Sequence, residues 1–111
     1  MSAQLHLREH AGGRITRLVA TGELDLATAP KLEAAVERLC SDPGPDLILD
    51  LSAVSLIDTA GVRAILACKR VFEENDCGFW VMSATAPARR VLQRYGVVAP
   101  LPFSEPPLAG P

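Results

Sequence analysis

The sequence lacks most features that announce a specialised class of protein. No stretch approaches the ~18 uninterrupted apolar residues that a membrane-spanning helix requires, and the start, MSAQLHLREH, has no basic head followed by an apolar core. Membrane insertion is therefore not expected, and a cytoplasmic location is. Basic and acidic residues number 11 and 13 for a net charge of -2, with no block of like charge that would serve as a nucleic-acid arm. Direct nucleic-acid binding is excluded from the expectations. Cys40, Cys68 and Cys77 form neither a C-x-x-C pair nor an even set, which argues against a disulfide framework or a zinc site. They read as small apolar fillers in a reducing compartment. No glycine-rich phosphate loop or metal-ligand cluster is visible. His6 and His10 sit four apart on an expected strand, about 13 Å from one another, too far to share a metal. No cofactor, no metal and no enzymatic activity are expected.

What is present fits one small domain. The 111 residues are 49% hydrophobic and 22% charged, ordinary for a folded chain of this length. LHLREH alternates apolar and polar residues, and RITRLVATG follows after Gly12 and Gly13, which predicts an antiparallel hairpin. Leu32, Ala35, Val36 and Leu39 then recur at helical period, with Pro30 in the first turn, where its missing amide hydrogen removes no helical bond. LILDL, after the turn-rich SDPGPD, reads as a short strand buried on both faces. Gly61, Ile65, Cys68 and Phe72 fall on one face of a second helix, with Arg63, Arg70 and Glu74 opposite and Arg70 and Glu74 spaced to pair. FWVM, with Trp80 in the core, is a further strand. Ala88, Val91, Leu92 and Tyr95 make a third helical stripe, which Thr85 caps and Gly96 ends. A last short edge strand is expected near 97–103, limited by Pro100 and Pro102. The expected fold class is α/β: a single domain over 1–103, with a mostly parallel mixed sheet of four to five strands, an N-terminal antiparallel strand and about three helices. Residues 104–111, SEPPLAGP, are expected to form a disordered tail.

Two stretches concentrate the polar residues, TGELD after the second strand and SLIDTAG after the third. In a parallel sheet both follow strand C-terminal ends, so Glu23, Asp25, Asp58 and Thr59 are expected to share one surface. Thr59 would open a helix, where free amides and the helix dipole favour negative charge. Ordinary helix capping also accounts for an Asp-Thr pair at that position.

TGELDLATAP and DLSAVSLIDTAGVRAIL resemble, in this order, the two signatures of the STAS domain, typified by bacterial anti-sigma factor antagonists. The resemblance spans roughly Leu5 to Phe103. It implies that Thr59, the first hydroxyl residue after the acid of IDTAG, is a phosphoacceptor, with Asp25 beside it in phosphorylation or partner contact. It further implies that the unmodified domain binds an anti-sigma factor with a serine/threonine kinase fold, freeing a sigma factor, and that phosphorylation by that kinase releases it. Glu23, Asp25, Asp58, Thr59, Ala60, Gly61, Val62 and Arg63 are the expected contact positions. Oligomeric state is not specified.

The chain departs from the family pattern at two places. Ala60 stands where many members carry a second hydroxyl, which leaves Thr59 as the acceptor. Arg63 stands where many have a glycine, putting a long cation on the contact face. An alternative implied by the same resemblance is a subunit regulating a lipid-transport ABC ATPase. Asp50, at the end of LILD, resembles the phosphoacceptor of a receiver domain, but the first strand supplies only Glu9 where a receiver needs an acidic pair for magnesium.

Overall fold

Glycine sets the first chain reversal. Gly13, at φ +71°, occupies the left-handed conformation that opens a two-residue hairpin turn. It joins β1 (Leu5–Gly12) to β2 (Ile15–Leu24), which pair antiparallel from Gly12 and Ile15 to Leu5 and Gly22. The computed structural model describes residues 4–40 and 44–97. The expected last strand, apart from Val97, and the tail lie outside them.

After β2 come α1 (Ala29–Leu39), β3 (Asp46–Ile57), α2 (Thr59–Glu74), β4 (Phe79–Met82) and α3 (Ala86–Arg94). The sheet runs β1-β2-β3-β4, antiparallel at β1 and parallel elsewhere, as the element order predicted. Because β2, β3 and β4 follow one another without a reversal of direction across the sheet, right-handed crossovers carry α1 and α2 to the same face. A single core results. Leu18, Leu47, Leu49 and Leu51 of the sheet, Leu32 and Val36 of α1, Ile65 and Phe72 of α2 and Leu92 of α3 are buried in it. Each such side chain contributes about 1.5–3 kcal/mol by burial.

The helices follow their sequence stripes closely. Gly61, Ala64, Ile65, Cys68 and Phe72 are the buried face of α2, as the periodicity required. Three local details differ. Lys69, not Arg70, forms the i,i+4 pair, with Glu73 at 2.6 Å. Thr85 opens α3 without a side-chain capping bond, and Tyr95 is exposed rather than part of the apolar stripe. Gly96, at φ +81°, does end α3, with the Val97 amide donating back to the Leu92 carbonyl.

The larger correction concerns strand length. β3 does not stop at Leu51 but runs on through SAVSLI to Ile57, and β2 continues through TGEL. TGEL of TGELD and SLI of SLIDTAG, expected to follow these strands, are part of them. The period-two pattern that would have shown this is broken by two register shifts. Between Val19 and Thr21 of β2, β3 advances three residues, from Asp50 to Ala53; between Gly22 and Glu23 it advances two, from Val54 to Leu56. Each shift is a bulge, which locally bends and twists the strands as they approach their C-terminal ends.

On the sheet face away from the helices, Ile48 and Asp50 alternate with the core-facing leucines of β3. Asp50 is 1% exposed. Its Oδ2 accepts from Arg17 Nε at 3.0 Å and Nη2 at 2.6 Å, and its Oδ1 accepts from the Ser52 amide at 2.9 Å. Burial pushes the Asp50 carboxyl up, but the bonds from Ser52 and the Arg17 charge outweigh it and leave the group below its ordinary value. Trp80 is half-buried and lies on this face too, since it alternates with the core-facing Phe79 and Val81.

Candidate functional site

The C-terminal ends of β2 and β3 finish in register. Leu24 pairs with Ile57, and the Asp58 amide donates to the Leu24 carbonyl at 3.2 Å. The turn that begins at Asp25 and the start of α2 are therefore neighbours, as sheet topology predicted. Adjacent strands lie about 4.8 Å apart, so the two connections emerge within side-chain reach of one another.

Asp25 and Asp58 each first serve their own backbone. Asp58 is the N-cap of α2, its Oδ1 accepting from the Gly61 amide at 2.9 Å. Asp25 Oδ1 accepts from the amides of Ala27 at 3.0 Å and Thr28 at 3.1 Å. The Thr28 hydroxyl completes this lock by accepting from the Asp25 amide at 2.9 Å and donating to the Glu23 carbonyl at 2.8 Å. Asp25 thus shapes the entry to α1, and it remains only half exposed. Backbone support and surface charge are not alternatives here: Asp58 caps α2, Asp25 ties the turn before α1, and both leave charge at the surface.

Thr59 is the first residue of α2 and is exposed. Its hydroxyl has no hydrogen-bond partner among the described residues. Among the contact positions expected from sequence, Asp58 and Arg63 are also exposed, Glu23, Ala60 and Val62 are half-buried, and Gly61 is buried. The reason for glycine at 61 is internal. A Cβ there would lie well inside contact distance of the Leu24 carbonyl oxygen, and at 3.0 and 3.1 Å from Leu24 Cγ and Ile57 Cγ2. Only a residue without a side chain lets α2 seat against the end of β2.

Two side chains at this end were not singled out from sequence. Leu26, 78% exposed, follows Asp25, and Leu56, 46% exposed, pairs in register with Glu23 and lies three residues before Thr59. Apolar residues this open are ordinary singly, but these two flank the Asp25–Thr59 seam. No periodicity could reveal them, because Leu56 follows the bulge that changes which face β3 residues take. The clefts between α1 and α2 (about 290 Å³, lined by Glu33, Val36 and Cys68 among others) and beside α3 lie away from this seam. What the seam offers is a surface, with a hydroxyl, acids and apolar side chains, rather than a cavity. Among the described residues no cluster of metal-ligating side chains occurs, and no helix is long and apolar enough to cross a membrane.

The STAS domain family model matches residues 8–105. The chain belongs to the STAS domain family. Its similarity to curated proteins runs in the same direction: it is 28% identical over 96 residues to the anti-sigma-F factor antagonist RsfB of Mycobacterium tuberculosis, covering 86% of this chain and 76% of that one. It is 25% identical over 76 residues to an anti-sigma-B factor antagonist of Staphylococcus aureus, covering 68% and 70%. Among solved structures, an anti-sigma factor antagonist from Mycobacterium paratuberculosis superposes with a TM-score of 0.69 at 27% identity, covering 84% of this chain and 79% of its own. These STAS relatives are named as regulators rather than catalysts.

Proposed function

We propose that this STAS domain is an anti-sigma factor antagonist that works by phosphorylation-controlled partner switching, with Thr59 as the acceptor. Unmodified, it binds an anti-sigma factor of serine/threonine kinase fold and so frees a sigma factor. Modified, it lets that partner go. The observation that carries the reading is the Thr59 hydroxyl, exposed and without an internal partner at the first turn of α2, in a chain whose relatives are named antagonists.

In the transfer, the Thr59 oxygen takes the γ-phosphoryl group of ATP while ADP leaves and the hydroxyl proton is lost. The product carries about -1.5 to -2 charges and three strong acceptors. The start of a helix accommodates this, since dipole and free amides favour negative charge there by about 0.3–1 kcal/mol. A docked partner does not. A surface shaped for a neutral hydroxyl must strip water from a dianion already bordered by Asp25 and Asp58, at an effective cost of several kcal/mol per ion. A loss of about 3 kcal/mol weakens binding more than a hundredfold. The fold is retained and the complex is not. Leu26 and Leu56 supply the apolar part of the same docking surface, and Glu23, Val62 and Arg63 its margin.

Two measurements test this. After incubation with the kinase and ATP, intact mass should rise by one phosphate, and Thr59→Ala should abolish the rise; a phosphate elsewhere rejects the assignment. Pull-down from native lysate should recover an anti-sigma kinase with wild type and lose it with Thr59→Glu. Recovery of neither a kinase nor any other regulator of sigma activity would remove the basis for the interaction model.

A further inference from the structure

We propose that Arg63 is the intramolecular partner of a phosphate on Thr59, folding back over the first turn of α2 once that residue is modified. The inference rests on the phosphoacceptor reading above and assigns to the site a second moving part. Arg63 lies four residues after Thr59 in α2, so the two share one face a single turn apart. Side chains on a helix lean toward its N-terminus, and a long one at position 63 therefore reaches over the turn that holds residue 59. Arg63 is exposed and has no hydrogen-bond or ion-pair partner among the described residues.

The acids of the seam do not claim it. Asp58 Oδ1 is held by the Gly61 amide and Asp25 Oδ1 by Ala27 and Thr28. Further along α2, by contrast, Lys69 already pairs with Glu73. A threonine hydroxyl offers Arg63 one neutral acceptor. A phosphate offers three oxygens and up to two charges, which the planar guanidinium fork can engage through two parallel bonds. One group added at Thr59 then alters two contact positions. The hydroxyl is replaced by a dianion, and the guanidinium, open to a partner's acid before modification, is turned inward. The net charge of the pair stays negative, so repulsion of the partner survives.

The test installs phosphothreonine at position 59 during translation, so that no kinase is needed, and follows the phosphate by phosphorus NMR as pH is varied. Glu23, Asp25 and Asp58 raise its second ionisation and the helix start lowers it, but these are common to all variants. Wild type should ionise about 0.15–0.4 pH unit lower than Arg63→Gln, the size expected of an exposed pair one turn apart. Arg63→Lys should fall between, and the difference should shrink from about 0.05 M to about 0.5 M salt. Equal values in wild type and Arg63→Gln overturn the proposal, whatever the kinase does. Conversely, a clear shift combined with no phosphate uptake from ATP would uphold the Arg63 pairing and sink the switching reading alone. Arg63 is a surface residue, so matching thermal melts of the two unmodified proteins establish that the fold is unchanged.

Discussion

Replacing Arg17 with methionine removes the cation from a carboxylate that has almost no access to water. Asp50 is 1% exposed, and the substitution deletes its bonds at 3.0 and 2.6 Å while leaving the Ser52 amide at 2.9 Å. Breaking one side of a buried pair costs about 3–5 kcal/mol. The Arg17 side chain is itself 48% exposed, so solvent screens part of the attraction and the low end, about 3 kcal/mol, is expected at pH 7. Against a total of about 5–15 kcal/mol this is a large loss. Urea unfolding followed by the fluorescence of Trp80, the only tryptophan, should show the midpoint falling by about 1–2 M. The pH dependence carries the mechanism. In wild type Asp50 ionises below the ordinary 3.8, so its contribution is full above that value and is lost as pH falls through the lower folded value. In Arg17→Met the burial effect is less opposed and the carboxyl moves up, so the penalty should narrow as the medium is acidified from pH 8 to pH 4.5. Asp50→Asn leaves Arg17 in contact with water and should cost only about 1 kcal/mol, with little pH dependence. A penalty under about 1 kcal/mol at pH 7 for Arg17→Met, or one that stays flat with pH, would refute the account.

Other changes follow from the same geometry. Gly61→Ala should destabilise by about 1–2 kcal/mol in urea titration, since overpacking against Leu24 outweighs the roughly 1 kcal/mol gained in helix propensity. Leu26→Ser and Leu56→Ser should change stability by under about 0.5 kcal/mol yet weaken anti-sigma factor binding about tenfold or more in calorimetry, and unaltered affinity would remove these residues from the docking surface. Asp58→Ala should cost about 1 kcal/mol through the lost cap. Burial, with Glu33 adding to it, pushes the Cys68 thiol up to about 12, so alkylation at pH 8 should spare Cys68 in the folded protein and reach it in urea.

The sequence made the helices legible and the strand ends illegible, for a common reason. An amphipathic helix is written in one uninterrupted period, and α2 keeps it from Gly61 to Phe72. β3 does not keep its period, because the bulges beside Thr21 and Glu23 shift which side chains face inward, and the first residues of SLIDTAG read as following the strand although they belong to it. The neighbouring of the two connections does not depend on that period. Side-by-side emergence of the two connections depends on neighbouring parallel strands, which the element order implied, and not on where each strand ends. Pairings across strands were out of reach. In the sequence Asp50, at the end of LILD, resembles a receiver's phosphoacceptor, and nothing local indicates that Arg17, on the adjacent strand, pairs with it. Lys69 and Arg70 are likewise both spaced four residues from an acid, and only packing decides that Lys69 makes the bond.

The close seating of Gly61 against the Leu24 carbonyl and the Ile57 side chain packs the first turn of α2 directly onto the end of β2. A phosphate on its first residue, as proposed for Thr59, would therefore have little lever to pull, and news of it would not travel through the core to a distant face. It would be read where it stands, over the roughly 8 Å that charge reaches in physiological salt, by a partner that comes to that end of the sheet. On the proposed function the domain is in this sense a tag holder, and discrimination between its two states would belong to the surface that meets it.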